Sequence, residues 1–550
     1  MKTLGKHGPP QVCRIPFDGG AMELPAKELV GSKAHDLMRI ARRGLPVPPG
    51  FVLSTQLCRD YLKHGAGALD GIGEVLVREL DHLAALTGRG FGDASRPLLV
   101  SARSGAAVSM PGMMETVLNI GLTDETLRGL VRMTGNPRLA RDCRRRLVRQ
   151  YGEVVLGIAP ARFDVRTLDL LNARGLSEVD ELDTDGLKQL AAVFEEEFET
   201  RTGMDFPTDP LVQLKAAIEA VLRSWSGDRA KSYRKLNGIP DDLGTATTVQ
   251  AMVFGNLGPD SGSGVGFTRN PANGENELYV DYLANAQGED VVAGRRRALH
   301  PDELARRAPD AWQALAGARD ILEHEFKDMQ DFEFTVEAGR LVFLQSRTGK
   351  RTGLAALRIA RDMVREKLIR PAEALARLDG IRLDEIEETK LAPAAGVTPA
   401  ATGTPAGIGV AVGVVAFDPL RVAALKRAGK AVILVRETAE PDDISALAEA
   451  AALVTLEGAR TSHAAVVARQ LEKPCIVACG GFAINPGGQH GTLGGEAIAE
   501  GDAISLDGST GEIFRGEIEV ARNRPLELLA EIQRWTRKRI PPKTRPASIP

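Results

Sequence analysis

Residues 461–469 read Thr461-Ser462-His463-Ala464-Ala465-Val466-Val467-Ala468-Arg469, and their reading decides how the chain divides. Just upstream, the apolar run Ala451 to Leu456 has the length and composition of a short buried strand. Gly458 follows as a turn residue, and then a helix begins. Ser462 is the expected N-cap, because its hydroxyl can accept a hydrogen bond from a first-turn N–H group. Ala464, Val467 and Leu471 recur at helical spacing. His463 then falls in the first turn, where unpaired N–H groups and the helix dipole favour an anion. A neutral imidazole is a competent nucleophile near neutral pH, with a reference pKa of about 6.5. A phosphate carried on it would be stabilised at that position. The plainer alternative is a histidine that only caps or packs.

Working outward, 550 residues are enough for about two to four domains with full cores. The formal net charge is −3, with 70 basic against 73 acidic residues, so no partner of extreme charge is implied. Neither nucleic acid nor a membrane surface is an expected partner. The first residues, MKTLGKHGPPQVCRIPF, lack the apolar core of a signal peptide, and the expected location is cytoplasmic. Five cysteines in so long a chain make no disulfide framework; Cys475 and Cys479 read as packed thiols.

The nearer N-terminal stretches supply candidate cations. In KELVGSKAHDLMRIARRGLPVPPG, residues 27–50, a Gly-Ser turn leads into a helix with Leu37, Ile40 and Ala41 on one face. Lys33 lies at the start of that helix, placed either to reach a phosphate or simply to be solvated. Residues 98–120 read LLVSARSGAAVSMPGMMETVLNI. A buried strand opens into a Gly/Ala/Ser loop whose backbone N–H groups could approach phosphate oxygens. Arg103 is expected at the strand end, suited to bidentate phosphate contact. Met110, Met113 and Met114 would line the loop with soft apolar groups. Residues 124–235 read as mainly helical, with a core stripe through Leu187, Leu190, Ala191, Phe194 and Phe198 and a strong helix start at Asp209-Pro210.

From residue 244 the pattern turns to strands. GTATTVQAMVFGN alternates, and DSGSGVGFTRNPANGENELYVDYLANAQGEDVVAG reads as glycine-rich turns between short strands. Arg269, Glu289 and Asp290 there are polar groups that ordinary turn chemistry would also explain. Asp331 to Val336 alternates strictly, and Leu341 to Arg347 follows after Glu337-Ala338-Gly339-Arg340, so the two form a hairpin. A three-residue loop, Ala338 to Arg340, would pair Glu333 with Gln345 and Asp331 with Arg347 and put the aromatic residues on the other face. That register is the one expected here. It offers two carboxylates, an amide and a guanidinium on one face, which suits a Mg2+–nucleotide site. A solvent-facing polar edge is the alternative.

Taken together, SARSGAAVSMPGMMETVLNIGL, TVQAMVFGN, GFTRNP, LANAQGEDVVAG, MQDFEFTVEAGRLVFLQSRTGKRTG and the TSH-centred helix start resemble the pyruvate, phosphate dikinases of the phosphoenolpyruvate-utilising enzymes, in that family's order. The resemblance runs from about Lys27 to Gly516. It implies a multidomain α/β (α+β) protein: an ATP-grasp nucleotide-binding domain with a helical insertion, then a swivelling β/β/α phosphohistidine domain. The expected boundaries are 1–350 for the ATP- and Mg2+-binding domain, with 124–235 its helical part; 351–406 for a helical and Pro/Ala/Gly-rich linker; 407–516 for the phosphohistidine carrier; and 517–550 for a C-terminal helix and basic tail. Carried over position by position, Lys33, Arg103 and Arg347 match phosphate-binding residues, and Glu333 and Gln345 match metal–nucleotide residues, with Asp331 beside them. His463 matches the phosphoryl carrier, with Arg103 and Arg347 assisting catalysis. Thr461 matches a position at which phosphorylation is regulatory in some members. The word before the histidine departs from the family's paired glycines: Ala459 loses one freely positive φ, and Arg460 adds a cation near the phosphate.

The expected chemistry is the nucleotide half of the family reaction, in which ATP, orthophosphate and His463 give phospho-His463, AMP and pyrophosphate. Transfer to pyruvate, forming phosphoenolpyruvate, uses a large barrel domain that this sequence is not expected to contain. The expected partners are therefore ATP, orthophosphate, pyruvate or phosphoenolpyruvate, a separate barrel-containing chain, and a second copy in a homodimer. Two alternatives remain at this stage: a phosphotransferase for another small acceptor, and a non-catalytic nucleotide sensor.

Overall fold

Glycine at every second position decides how one of the central strands is built. In the computed structural model Gly262–Phe267 is one of the short strands expected between the glycine-rich turns. A Cβ on Gly264 would lie 2.4 Å from the Phe334 ring, and one on Gly266 would lie 2.6 Å from the Phe332 ring. The glycines are bare so that two aromatic rings can cross the strand. The model describes residues 11–16, 23–108, 110, 114–293, 301–438, 443–458, 460, 462–485 and 489–538.

The chain forms two units, Met1–Leu257 with Val342–Ser346, and Gly258–Leu341 with Arg347–Pro550. The first is built on an antiparallel sheet of five strands, in the order Val12–Ile15, Gly50–Leu53, Ala246–Ala251, Val100–Gly105, Thr116–Ile120. Helices from Asp124–Thr134 to Asp228–Leu236 supply most of the cover. Their apolar stripes merge with the sheet residues Val100, Ala102, Val117 and Val249 in one cluster. The expected stripe through Leu187, Leu190, Phe194 and Phe198 is buried in it, and each such side chain contributes about 1.5–3 kcal/mol by leaving water. Asp209 caps the Pro210–Ser224 helix by accepting from the Leu211 N–H at 2.8 Å. A buried carboxylate, Asp142, ties the bundle together through Arg145 at 3.0 Å, Arg146 at 2.8 Å and Asn256 at 3.2 Å. Its two arginines hold it below its ordinary pKa of 3.8 against the opposing effect of burial.

The second unit holds the antiparallel strands Gln330–Glu337, Gly262–Phe267 and Tyr279–Ala284, in that order. Its hairpin loop is one residue shorter than expected. The strands end at Glu337 and resume at Arg340, leaving Ala338 and Gly339 with φ of 48° and 77°. Two consecutive positive φ angles give a turn whose twist matches that of the strands, so the short loop wins although Ala338 is not a glycine.

Residues 401–515 form an eight-stranded sheet, in the order Ala401–Thr402, Glu512–Arg515, Ala503–Asp507, Val410–Ala416, Val432–Arg436, Ala452–Thr455, Cys475–Val477, Thr404–Gly407. Four of these, from Val410–Ala416 through Cys475–Val477, are parallel neighbours. The first and last strands in the order are separated in sequence by Gly403 alone, so the sheet curls until its edges meet. A Cβ on Gly403 would lie 2.5 Å from Ile476 and 2.9 Å from the Val477 carbonyl, which is why the crossing residue is glycine. Cys475 is buried and its thiol is pushed up to about 12 by that burial, as suits a packed thiol.

The expected linker is more structured than its Ala/Pro/Gly composition implied. Strands 401–402 and 404–407 belong to the curled sheet, and Pro405 is tolerated because its strand is an edge. Upstream, Glu388–Leu391 pairs with Val520–Asn523. The entry to and exit from the curled-sheet domain therefore run side by side as a two-stranded ribbon. Beyond it, helix Leu526–Lys538 buries Leu528, Leu529 and Ile532 against the Gly353–Arg365 and Pro371–Arg377 helices, leaving Leu526 exposed. The tail beyond Lys538 lies outside the described residues. Among those described, no helix is long and apolar enough to cross a membrane.

Candidate functional site

The expected site residues fall into two sets, one in each unit. In the first unit the helix Lys27–Arg42 is broken at Gly31, whose φ of 77° and ψ of 160° restart it at Ser32. A Cβ on Gly31 would lie 2.2 Å from the Gly105 carbonyl oxygen, so the helix start and the end of strand Val100–Gly105 touch backbone to backbone. The Ser32 N–H and hydroxyl both donate to the Ala106 carbonyl, at 2.8 and 3.0 Å. The Gly105 N–H donates to Thr245 Oγ1 at 3.1 Å. This docking brings half-buried Lys33, one residue past Ser32, to the end of the strand that carries Arg103. Arg103 is not at the strand end as expected. It sits within the strand, between Thr116 and Thr248 on its two neighbours, and its Nη1 donates to the Leu344 carbonyl at 3.4 Å. Gln345, next along, is buried in the same unit. Met110 is buried in the core, so it packs rather than lines a loop; Met113 lies outside the described residues.

In the second unit Asp331 accepts from Arg347 Nε at 2.7 Å; the two-residue loop does not give the expected register, in which Glu333 faced Gln345. Burial pushes the Asp331 carboxyl up, and Arg347 only partly offsets this. Burial also works against the Arg347 charge, which Asp331 and Glu333 more than restore. Glu333, two residues on, projects to the same face of its strand; opposite it on the next strand is Val265. Arg269 is buried and bound to Glu323 at 2.9 and 2.7 Å and to Glu366 at 2.5 Å, a structural clamp. Asp290 Oδ2 accepts from the Gln287 N–H at 2.9 Å, ordinary helix-start chemistry.

His463 is the first residue of helix His463–Gln470, and Ser462 caps it, accepting from the Ala465 N–H at 3.4 Å. Thr461 and Ala459 lie outside the described residues. Arg460 is committed elsewhere than to a phosphate: its Nε donates to Asp281 at 2.9 Å and its Nη2 to the Val280 carbonyl at 2.8 Å. Arg469, at the other end of the helix, is buried and donates to the carbonyls of Ala406 and Arg460 at 2.8 and 2.7 Å. Sequence reasoning assigned no role to Tyr279, Asp281 or Arg469. The alternation Tyr279-Val280-Asp281-Tyr282 was the available signal, because it puts the tyrosine and the acid on one face.

For a divalent metal, Glu333 and Asp331 supply hard oxygen donors on one strand face. Among the described residues there is no group of three or more acidic, histidine or cysteine ligands. This donor set fits Mg2+, which is held by one or two carboxylates and takes its other ligands from phosphate and water.

The sequence that builds these elements is similar to known proteins. Residues 428–511 match the family described as PEP-utilising enzyme, mobile domain. Residues 71–316 match pyruvate phosphate dikinase, AMP/ATP-binding domain. The chain is 42% identical over 515 residues to pyruvate, phosphate dikinase of Clostridium symbiosum, covering 93% of this chain and 59% of that protein. It is 40% identical to the enzyme of Rhizobium meliloti, over 94% of this chain and 59% of the relative. With the chloroplastic pyruvate, phosphate dikinase 1 of Zea mays it shares 44% identity, over 89% of this chain and 52% of that protein. The chain is thus similar to the dikinases over both their nucleotide-binding domain and the PEP-utilising mobile domain. It is a relative of pyruvate, phosphate dikinase that spans somewhat more than half the length of the proteins it matches.

Proposed function

We propose that this chain transfers the β-phosphoryl group of ATP to His463, in an ATP-grasp site completed by Mg2+. An imidazole nitrogen of His463 attacks the β-phosphorus, the bond to the bridging oxygen of the α-phosphate breaks, and AMP leaves. Orthophosphate then attacks the terminal phosphorus of the pyrophosphoryl-histidine, and pyrophosphate leaves phospho-His463 behind. Lys33, Arg103 and Arg347 neutralise charge on the transferring groups, which is most of what such a transfer requires. Glu333, with Gln345 and Asp331 in support, would hold Mg2+, which would supply charge neutralisation at the phosphates. Two antiparallel sheets, one in each unit, support the ATP-grasp reading. Pyruvate is the proposed final acceptor, from the names of the relatives.

One observation carries this reading above the others. The His463 loop is held against the strand next to Gly262–Phe267, whose other neighbour bears Asp331 and Glu333. A histidine that merely capped a helix would have no reason to be held beside that polar face. The test is incubation with Mg2+ and ATP labelled at the β- or γ-phosphate, with and without orthophosphate. Acid-labile β-label on the wild type and none on His463→Ala is the expected result; no label under any condition would sink the proposal. Adding pyruvate then asks where discharge occurs. Phosphoenolpyruvate formed by this chain alone would locate the acceptor site within these 550 residues.

A further inference from the structure

We propose that Arg460 is a latch: it holds the mobile domain on the Tyr279–Ala284 strand and thereby sets where His463 is presented. It is a positioning residue, not a phosphate ligand. The proposal rests on the carrier reading of His463.

Three contacts converge on one guanidinium. Arg460 Nε donates to Asp281 Oδ1 at 2.9 Å, Nη2 donates to the Val280 carbonyl at 2.8 Å, and Cζ lies 4.0 Å from the centre of the Tyr279 ring. Arginine has a flat face and a fixed fork of donors, so it can stack and donate at once. Its own carbonyl is held from behind by Arg469 Nη1, which also binds Ala406 on the edge strand. The loop before His463 is therefore pinned on both sides: its main chain to its own domain, its side chain to the other sheet. Tyr279 adds a second tie by donating from its hydroxyl to the Pro405 carbonyl at 3.1 Å. The Arg460 contact acts on the histidine loop itself, three residues before the first residue of the helix.

The electrostatics make this a docking device more than a folding device. The Asp281 side chain is 2% exposed and that of Arg460 17%. Asp281 Oδ2 is buried and has no hydrogen-bond partner among the described residues. Remove the guanidinium and the docked state keeps a buried carboxylate with no counter-charge, which is strongly unfavourable. Undocking exposes that carboxylate to water. The penalty falls on docking, while the strand's own pairing with Gly262–Phe267 is untouched.

The test uses the full chain with spin labels at Lys430→Cys and Arg340→Cys, both exposed, in a Cys13→Ser background; the other native cysteines are buried. The wild type should give one short distance, that of the docked domain. Arg460→Met should add a broad, longer population, and Arg460→Lys should restore part of the short one. The thermal transition of each domain should stay in place. The rate of β-phosphoryl labelling should fall by about tenfold or more in Arg460→Met, since misplacing a reacting group by about an ångström costs up to about a hundredfold. A short distance unchanged in Arg460→Met overturns the proposal, and so does a wild type that is not docked. Labelling lost with docking intact overturns it in favour of direct phosphate contact. If the wild type takes no label at all, the His463 reading fails, and the distance measurement still decides the latch.

Discussion

The five-stranded sheet of the first unit and the curled sheet of residues 401–515 are built in opposite ways. The first is locked into a single apolar cluster with the helices around it. Its cation Arg103 is flanked by strands on both sides, and its closing loop is fixed by a backbone contact that only glycine permits at residue 31. The second has two smaller cores, one containing Ile433, Val435 and Val454, the other Leu434, Leu453 and Ala465. Alternate residues of the same strands feed the two clusters, so each face of the sheet is closed within the domain. Its chain connections run through a two-stranded ribbon. Under the proposed function the first suits a nucleotide site, which needs fixed geometry, and the second suits a carrier, which must fold by itself and be held by contacts that can be released.

The sharpest way to break this contrast is chemical. His463→Ala should abolish acid-labile labelling altogether, because no other residue in this account accepts the phosphoryl group; radiolabelling of the variant checks it. Next in size is Gly31→Ala, which puts a Cβ 2.2 Å from the Gly105 oxygen at a φ of 77°. It should destabilise the first unit by about 3 kcal/mol and weaken nucleotide binding, while spin-label distances within the second unit stay unchanged. Denaturant titration and ATP binding measure the two effects. Asp142→Asn should cost the helical bundle about 3 kcal/mol, because Arg145 and Arg146 would lose a buried partner. The pH dependence follows from the lowered pKa of Asp142. Its contribution is fully present above the ordinary value of 3.8 and is lost as pH falls through its folded-state value, so acid should narrow the gap between wild type and variant. Unfolding midpoints measured between neutral and acid pH check this. The smallest effect is Thr352→Ala. It removes the cap that accepts from the Ala355 N–H at 3.1 Å and should cost about 1 kcal/mol, read as a small shift in the denaturant midpoint of the second unit.

Much of this was legible in residues whose local rules are strong. Ser462 as cap, Asp209-Pro210 as helix start and the Leu187–Phe198 stripe follow from periodicity and capping, and the fold keeps all three. That Asp331 and Arg347 belong to one hairpin was legible from alternation, and they form an ion pair. What misled was composition without neighbours. The glycine-rich stretch did not say which of its residues were strand until Phe332 and Phe334 were seen to cross Gly264 and Gly266. The linker composition hid two edge strands, because the edge of a sheet tolerates proline and small residues. The hairpin loop could not be chosen from hydrophobic faces alone, since the turn's own twist decided it. Arg460 looked like a cation for phosphate because its partners, Asp281 and Tyr279, lie about 180 residues away in sequence.

The central claim is that phosphate from ATP comes to rest on His463. Alkaline quenching after incubation with Mg2+, ATP and orthophosphate, followed by peptide-level mass spectrometry, reads the position directly. The account predicts a single acid-labile phosphate on the peptide that contains His463, assigned to that residue by fragmentation. Phosphate on Thr461 or any other residue, with His463 unmodified, would contradict it.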